Sequence, residues 1–175
     1  MPSKESNIIL IGMPGAGKST LGVVLAKIFA YEFIDVDIEI QTRHGKTLQR
    51  IIEDEGSEGF IRAEGEVLQS LSLKHCIIST GGSAIYSHEA MEYLASIGTV
   101  VFLKVTFEEL ERRLGSLLER GVVMKGDVNT LAELYDEREP LYERYAEITF
   151  EVGDRSIREA ALDLAQTIRE QRQVG

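Results

Sequence analysis

The sequence predicts an α/β fold in which helices cover both faces of a parallel sheet. Short apolar runs alternate with longer amphipathic segments along the chain, and this alternation favours parallel strands joined by helical crossovers. The chain has 175 residues, of which 43% are hydrophobic, so it can bury one good core. We therefore expect one domain spanning residues 1–175.

Apolar runs mark the predicted strands, and segments with helical periodicity mark the predicted helices. Strands are expected at 8–11, 32–36, 76–79, 99–105 and 148–152. Helices are expected at 18–29, 38–45, 48–73 with breaks near Gly56 and Gly59, 87–96, 107–114, 131–145 and 156–171. The glycine-containing segment 115–130 lacks a clear period and has about the length of a mobile lid, with a disordered surface loop as the alternative.

The segment between the first predicted strand and the first predicted helix reads G-x-x-x-x-G-K-S. Its glycines free the backbone to wrap N–H groups around phosphate oxygens, and the helix N-terminus adds positive potential. Lys18 is expected to reach the β- and γ-phosphates, and Ser19 to offer its hydroxyl to magnesium. A chance glycine-rich turn is the alternative. The predicted nucleotide-binding residues here are Gly12, Pro14, Gly15, Ala16, Gly17, Lys18, Ser19 and Thr20.

Composition restricts the possible partners. The formal net charge of −10 argues against extended contacts with nucleic acid or anionic membranes. The single cysteine, Cys76, lies in an apolar run, which excludes a disulfide framework and fits a reducing cytosol. No stretch is apolar enough to span a bilayer, and the three histidines lack metal-ligand spacing. We expect a cytoplasmic monomer whose partners are ATP and a small molecule.

Two acids lie at the carboxyl end of the second predicted strand, in the sequence Asp35-Val36-Asp37. Ligands of open α/β sheets bind beyond the carboxyl ends of the strands, which is where this pair falls. The pair is interpreted as part of an extended segment in which the two acids have different roles, one facing magnesium and the other the acceptor substrate. A helix N-cap is the structural alternative, since Asp37 precedes the apolar-periodic Ile38 and Ile40.

Taken together, these motifs resemble the shikimate kinase family, in the same order and at similar spacing over nearly the whole chain. They are the loop 12–20, the Asp35-x-Asp37 pair, the segment 56–64, Thr80-Gly81-Gly82 and the segment Arg138-Glu139-Pro140-Leu141-Tyr142. The resemblance implies a three-layer P-loop kinase fold of the nucleoside monophosphate kinase type, with a five-stranded parallel sheet, helices on both faces and a lid at about 115–130. It also implies ATP and Mg²⁺, with shikimate converted to shikimate 3-phosphate.

The resemblance further implies residue roles. Asp37 would contact the acceptor hydroxyls and act as the base, while Asp35 would hold magnesium through water. Arg120 matches the lid arginine, although Gly121 stands where the family has a proline. Arg112, before the lid, is an expected nucleotide contact, and ordinary surface charge is the alternative for both arginines. The expected catalytic residues are Lys18, Asp37 and Arg120, and the expected substrate-binding residues are Asp37, Phe60, Gly81, Gly82 and Arg138, with a substrate-binding helical region at about 37–73.

Two positions depart from the family pattern. The family has Phe-Arg where this chain reads Phe60-Ile61-Arg62, so Ile61 replaces an arginine that helps to clamp the substrate carboxylate. A helix turns about 100° per residue, so Arg62 points away from Ile61 unless the backbone near Gly59 is altered. Arg62 is therefore either a restored substrate contact or a solvated residue. Ser83 replaces the family's third glycine and can reshape the pocket.

Two charged residues fall on otherwise apolar helical faces. Glu64 shares a stripe with Val67 and Leu68, and a buried acid usually needs a partner, so we expect a basic residue to reach it. Arg138 shares a stripe with Tyr142. Either the head of Arg138 reaches water, or it is directed into a site that needs a fixed cation; the family pattern gives the second role, binding of the substrate carboxylate.

These observations predict an ATP-dependent kinase for a small carboxylated acceptor, with shikimate as the expected substrate and in-line phosphoryl transfer as the mechanism. A kinase for another small hydroxy acid or a sugar acid such as gluconate is the alternative within the same class. A non-catalytic nucleotide-binding regulator is the alternative from a different class. A guanine-nucleotide switch is disfavoured because the chain lacks both D-x-x-G and N-K-x-D.

Overall fold

The structure, a computed structural model, describes residues 6–114 and 130–174. Within these ranges the strands are β1 (Asn7–Ile11), β2 (Glu32–Asp35), β3 (Cys76–Ser79), β4 (Gly98–Lys104) and β5 (Ile148–Glu151). The helices are α1 (Lys18–Phe29), α2 (Val36–His44), α3 (Leu48–Ser70), α4 (His88–Ile97), α5 (Phe107–Leu114), α6 (Leu131–Tyr145) and α7 (Ile157–Val174). One turn of 3-10 helix covers Ala84–Tyr86.

The strands form one parallel sheet in the order β2-β3-β1-β4-β5, which confirms the predicted five-stranded parallel sheet. In the central strand, Ile8 stands beside Ile77 of β3 and Thr99 of β4. All five residues of β1 and all four of β3 are buried. These two strands must therefore be covered on both faces of the sheet, which explains why they are nearly continuous apolar runs.

The strand order places helices on both faces and opens a crevice between β1 and β3. The chain leaves β1 through α1 toward β2, whereas it leaves β3 through α4 toward β4, in the opposite direction along the sheet. Right-handed crossovers in opposite directions lie on opposite faces. Accordingly, α1 packs against α7, while α3 packs against α2 and α4. Sheets of this kind bind ligands in the crevice between two neighbouring strands whose connections leave in opposite directions, which here are β1 and β3.

Local differences from the predicted elements have simple physical reasons. Helix α2 begins at Val36, not Ile38, because the Asp35 side chain accepts hydrogen bonds from the N–H groups of Asp37 and Ile38, at 2.9 and 3.3 Å. The N-cap is therefore Asp35 and not Asp37, and the segment joining the two acids is not extended. Only Gly56 interrupts α3, at φ 72° and ψ 177°; the expected second break at Gly59 is absent from this helix.

Asn7 ties the amino-terminal edge of the sheet together. Its buried Nδ2 donates hydrogen bonds to Leu73 O and Ile97 O, at 2.8 and 2.9 Å, and its Oδ1 accepts one from the N–H of Cys76, at 3.1 Å. This side chain thus fixes β1 to the entry of β3 and to the end of α4. Within residues 6–114 and 130–174, no helix is long and apolar enough to cross a membrane.

Candidate active site

A cavity of about 330 Å³ opens at the carboxyl ends of β1 and β3. Its lining brings together segments that are far apart in the sequence. The lining residues are Pro14, Gly15, Gly17, Lys18, Ser19, Thr20, Asp37, Leu48, Phe60, Thr80, Gly81, Gly82, Ser83 and Arg138. Two predicted loop residues do not line it, because Ala16 is buried in the core and Gly12 packs against Leu103 of β4.

The glycine loop presents an open helix N-terminus to this cavity. Gly12 has φ +148°, and a Cβ there would lie 2.8 Å from Leu103 O, so the tight turn out of β1 requires glycine. Gly17 is the N-cap of α1 in the left-handed region, and no side chain among the described residues caps this helix. The first N–H groups of α1 therefore remain available for an anion, as at phosphate-binding helix N-termini.

Lys18 lies under the loop with its charged end held by backbone carbonyls. Its Nζ donates hydrogen bonds to Gly12 O and Met13 O, both at 2.9 Å, and only 8% of the residue is exposed. Burial lowers the pKa of Lys18 to about 8, although the Asp37 carboxylate opposes this shift. A cation fixed against the loop in this way can stabilise phosphate oxygens with little reorganisation.

Ser19 and Asp35 converge beside the loop. Ser19 Oγ donates a hydrogen bond to Asp35 Oδ2 at 2.6 Å, and Ser79 Oγ lies 3.2 Å from Ser19 Oγ. These are oxygen ligands, which suit Mg²⁺. Among the described residues, no group of three or more His, Cys, Asp or Glu side chains could hold a metal ion. The arrangement therefore fits an ion that takes most of its ligands from nucleotide phosphates and water.

Asp37 lies in the first turn of α2 and faces the cavity. Burial raises the pKa of its carboxyl group, the nearby Asp35 carboxylate raises it further, and Lys18 opposes the shift. A Cβ at Gly81 would lie 3.0 Å from Asp37 Oδ1, so the backbone after β3 approaches this carboxylate closely. A half-buried carboxyl group with a raised pKa is suited to accept a proton from a hydroxyl.

Arg138 is directed into the site rather than toward water. Only 1% of it is exposed, and a Cβ at Gly82 would lie 2.8 Å from its Nη1. Its Nε donates a hydrogen bond to the Tyr86 hydroxyl at 3.3 Å, and that hydroxyl donates to Glu137 Oε2 at 2.7 Å. A role for Tyr86 was not predicted from the sequence; its position four residues after Gly82 is the signal that could have identified it.

Tyr142, on the same helix, supports this arrangement from below. Its hydroxyl donates a hydrogen bond to Gly82 O at 2.6 Å, and its ring stacks on Phe102 with centroids 5.1 Å apart. Tyr142 is fully buried, so this tyrosine of α6 is a core residue. It nevertheless fixes the backbone that lies against Arg138.

Glu64 has a hydroxyl partner where a basic partner was expected. It is fully buried, and its Oε2 accepts a hydrogen bond from Ser83 Oγ at 2.5 Å. Its Oε1 has no hydrogen-bond partner among the described residues. Burial raises the pKa of Glu64 to about 7, against the opposing effects of the Ser83 hydrogen bond and of the charges on Arg138 and Lys18. The prediction that a basic side chain would pair with Glu64 is therefore wrong for the described part of the chain.

The neighbours of Glu64 in the helix do not replace the missing arginine. Arg62 is exposed and does not line the cavity, so the structure favours the solvated alternative. Ile61 is half-buried and packs against the core. Phe60, in contrast, is buried and lines the cavity. Within the described ranges, Arg138 is the arginine that lines this cavity.

A second cavity, of about 490 Å³, lies at the carboxyl ends of β4 and β5. Its lining residues are Lys104, Val105, Thr106, Glu108, Glu109, Arg112, Tyr135, Glu151, Gly153 and Asp154. Arg112 is exposed and forms an ion pair with Glu109, while Arg113 Nη1 donates a hydrogen bond to Gly15 O at 3.1 Å. Helix α5 thus connects this cavity to the glycine loop. Arg120 and residues 115–129 of the predicted lid lie outside the described residues.

A glycine loop, a buried lysine, an open helix N-terminus and an acid pair at a sheet crevice define a P-loop phosphotransferase with a small acceptor pocket. The family model described as shikimate kinase matches residues 14–169, and the chain belongs to the shikimate kinase family. A shikimate kinase of Nitrosospira multiformis is 41% identical over 164 residues, which cover 93% of this chain and 84% of that protein.

Solved structures agree with this assignment. Shikimate kinase from Acinetobacter baumannii in complex with shikimate has a TM-score of 0.86 and 34% identity, covering 97% of this chain and 96% of that one. Shikimate kinase from Aquifex aeolicus has a TM-score of 0.80 and 32% identity, covering 97% of this chain and 99% of that one. The predicted family and the predicted P-loop kinase fold are both confirmed.

Proposed function

We propose that this protein transfers the γ-phosphoryl group of ATP to a hydroxyl of shikimate. The observation that carries the proposal is a buried arginine, Arg138, in the same cavity as Lys18 and Asp37. The cavity thus holds a phosphate-binding cation, a carboxylate that can accept a proton and a guanidinium that can bind a carboxylate. Relatives in the same family act on shikimate, which carries both a carboxylate and hydroxyl groups.

In the proposed reaction, the N–H groups of the loop and Lys18 bind the phosphates of ATP. Ser19 and Asp35 would hold Mg²⁺, which when bound would neutralise negative charge on the phosphates. Asp37 orients the attacking hydroxyl and accepts its proton, a role that its raised pKa favours. The roles of Arg112 and Arg120 in nucleotide binding also belong to this proposal, and Arg112 supports it by lining the cavity beside α5.

Arg138 would bind the acceptor carboxylate through two parallel hydrogen bonds. Its hydrogen bond to Tyr86 fixes the plane of the guanidinium, so less conformational entropy is lost when the acceptor binds. The backbone at Gly81 lies close to Asp37, and the backbone at Gly82 lies close to Arg138, so neither position has room for a side chain beside the acceptor. Phe60 supplies an apolar wall for the carbon skeleton of the acceptor.

The test is a phosphoryl-transfer assay with ATP, Mg²⁺ and a panel of hydroxy acids that includes shikimate and gluconate. We expect phosphorylation of shikimate, loss of turnover in Lys18→Ala, and an unchanged fold by circular dichroism. Lys27→Ala, on the exposed side of the same helix, is the matched control and should retain activity. ATP binding without transfer to any acceptor would contradict the proposal and favour a regulator, and near-normal activity in folded Lys18→Ala would contradict the mechanism.

A further inference from the structure

The carboxyl group of Glu64 lies against Gly81, which lines the cavity, although Glu64 itself does not line it and takes no part in the proposed phosphoryl transfer. A Cβ at Gly81 would overlap Glu64 Oε1 and would lie 3.0 Å from Asp37 Oδ1, so both carboxyl groups border the same stretch of backbone. Glu64 Oε2 is held by Ser83, whereas Oε1 lacks a hydrogen-bond partner among the described residues. A fully buried oxygen without a partner costs free energy, which a proton or a ligand can recover.

The charges around Glu64 come from three helices. Asp37 of α2 disfavours the ionised form, while Arg138 of α6 and Lys18 of α1 favour it. None of the ion pairs in the described ranges includes Glu64, so neither cation reaches it directly. Burial dominates this balance and raises the pKa of Glu64 to about 7, so both protonation states are accessible near neutral pH.

We propose that Ser83 and Glu64 form a hydrogen-bonded pair that couples binding of an anionic acceptor to the uptake of a proton by Glu64. This inference rests on the proposed function, because it requires an acceptor carboxylate at Arg138. The bound carboxylate adds negative charge near Glu64, partly offsets the attraction of Arg138, and displaces water from the cavity. Each effect disfavours the ionised form of Glu64. Protonation of Oε1 turns the unpartnered acceptor into a donor on the Gly81 side of the site.

The residue one turn earlier in α3 explains why Glu64 responds in this way. Positions three residues apart on a helix are neighbours, so a cation at position 61 could pair with Glu64, but this position is Ile61. The hydroxyl of Ser83 takes the place of a charged partner. It orients Glu64 and stabilises the ionised form only in part. Ser83 is therefore a positioning residue that keeps the transition near neutral pH.

The sign of the linkage follows from these contacts. If acceptor binding raises the pKa of Glu64, the protein takes up protons on binding at pH values above the pKa that Glu64 has in the unliganded protein. The affinity for the acceptor then falls as the pH rises. In the limit where only the protonated form binds, affinity falls about tenfold per pH unit above that pKa. Below it, Glu64 is already protonated and affinity is independent of pH.

The experiment is calorimetric titration of the intact protein with shikimate, without nucleotide, from pH 6 to 8.5 in buffers that differ in ionisation enthalpy. We expect measurable proton uptake at pH 7.5 in the wild type and little at pH 6. Glu64→Gln should bind shikimate without this proton uptake. Binding without proton uptake at pH 7.5 would contradict the inference alone, whereas no shikimate binding at any pH would contradict the proposed function.

Two further variants move the transition in opposite directions. Ser83→Ala removes a hydrogen bond that stabilises the ionised form of Glu64, so proton uptake should begin at higher pH. Ile61→Arg adds a cation near Glu64, so proton uptake should begin at lower pH. Ser87→Ala is the matched control, because its hydroxyl caps α4 and does not contact Glu64. If Ser83→Ala weakens binding equally at every pH, the hydroxyl has only a structural role and the inference is wrong.

Discussion

Replacement of Arg138 by lysine separates the charge of this residue from its geometry. The lysine keeps one positive charge but loses the planar fork and the Nε that donates to the Tyr86 hydroxyl. Since only 1% of Arg138 is exposed, water cannot easily compensate for a lost contact. One charge-assisted hydrogen bond contributes about 1.5–3 kcal/mol. We therefore expect the KM for shikimate to rise roughly ten- to hundredfold, with little change in the KM for ATP.

The assay is steady-state kinetics with shikimate varied at saturating ATP and Mg²⁺. Arg144→Lys is the control, because Arg144 lies on the same helix, is exposed, and contacts the ring of Tyr145 and not the cavity. Near-UV and far-UV circular dichroism should match the wild type for both variants. If Arg138→Lys has the wild-type KM for every accepted substrate, Arg138 does not bind a carboxylate through two hydrogen bonds.

Three further predictions concern single side chains. Asp35→Asn should weaken the dependence of activity on Mg²⁺, whereas Asp37→Asn should chiefly reduce kcat and acceptor use while ATP still binds. If both variants show the same magnesium titration and the same acceptor defect, the two acids share one role. Arg62→Ala should leave the KM for shikimate unchanged because Arg62 is exposed and does not line the cavity, and a large rise would restore it as a substrate contact. Asn7→Ala should lower the free energy of unfolding by about 2–4 kcal/mol, measured by urea denaturation, because it leaves buried backbone groups without partners; an unchanged midpoint would contradict this.

The sequence predicted what depends on contiguous residues. The glycine loop, Lys18 and the strand before them form a local pattern, and their positions follow from it. The Asp35–Asp37 pair was located correctly at the end of β2, but its local geometry was wrong. The prediction assumed an extended backbone, whereas Asp35 caps a helix that begins at the next residue. Backbone conformation at an element boundary is decided by such a cap, which the apolar periodicity does not reveal.

Contacts between distant elements were predicted only in part. The apolar face around Glu64 indicated that this acid needs a partner, but the partner, Ser83, follows a different secondary-structure element and is a neutral hydroxyl. The second cavity was not predicted, because its walls come from segments that only the strand order brings together. The orientation of Arg138 was predicted through the family pattern, because helical periodicity alone did not decide whether its guanidinium reaches water or is directed into a site.

The central position of β1 has a consequence for how the protein is made. β1 leaves the ribosome first, yet its partners are β3 and β4, which begin about 70 and 90 residues later. At about 5–20 residues per second, the strand waits roughly 5–20 s for its second neighbour. During that time Ile8, Ile9, Leu10 and Ile11 remain unpaired in the nascent chain, and the loop that follows has no fixed strand to hold it. The phosphate-binding segment is thus translated early, but the strand that supports it is flanked on both sides only after β3 and β4 have emerged.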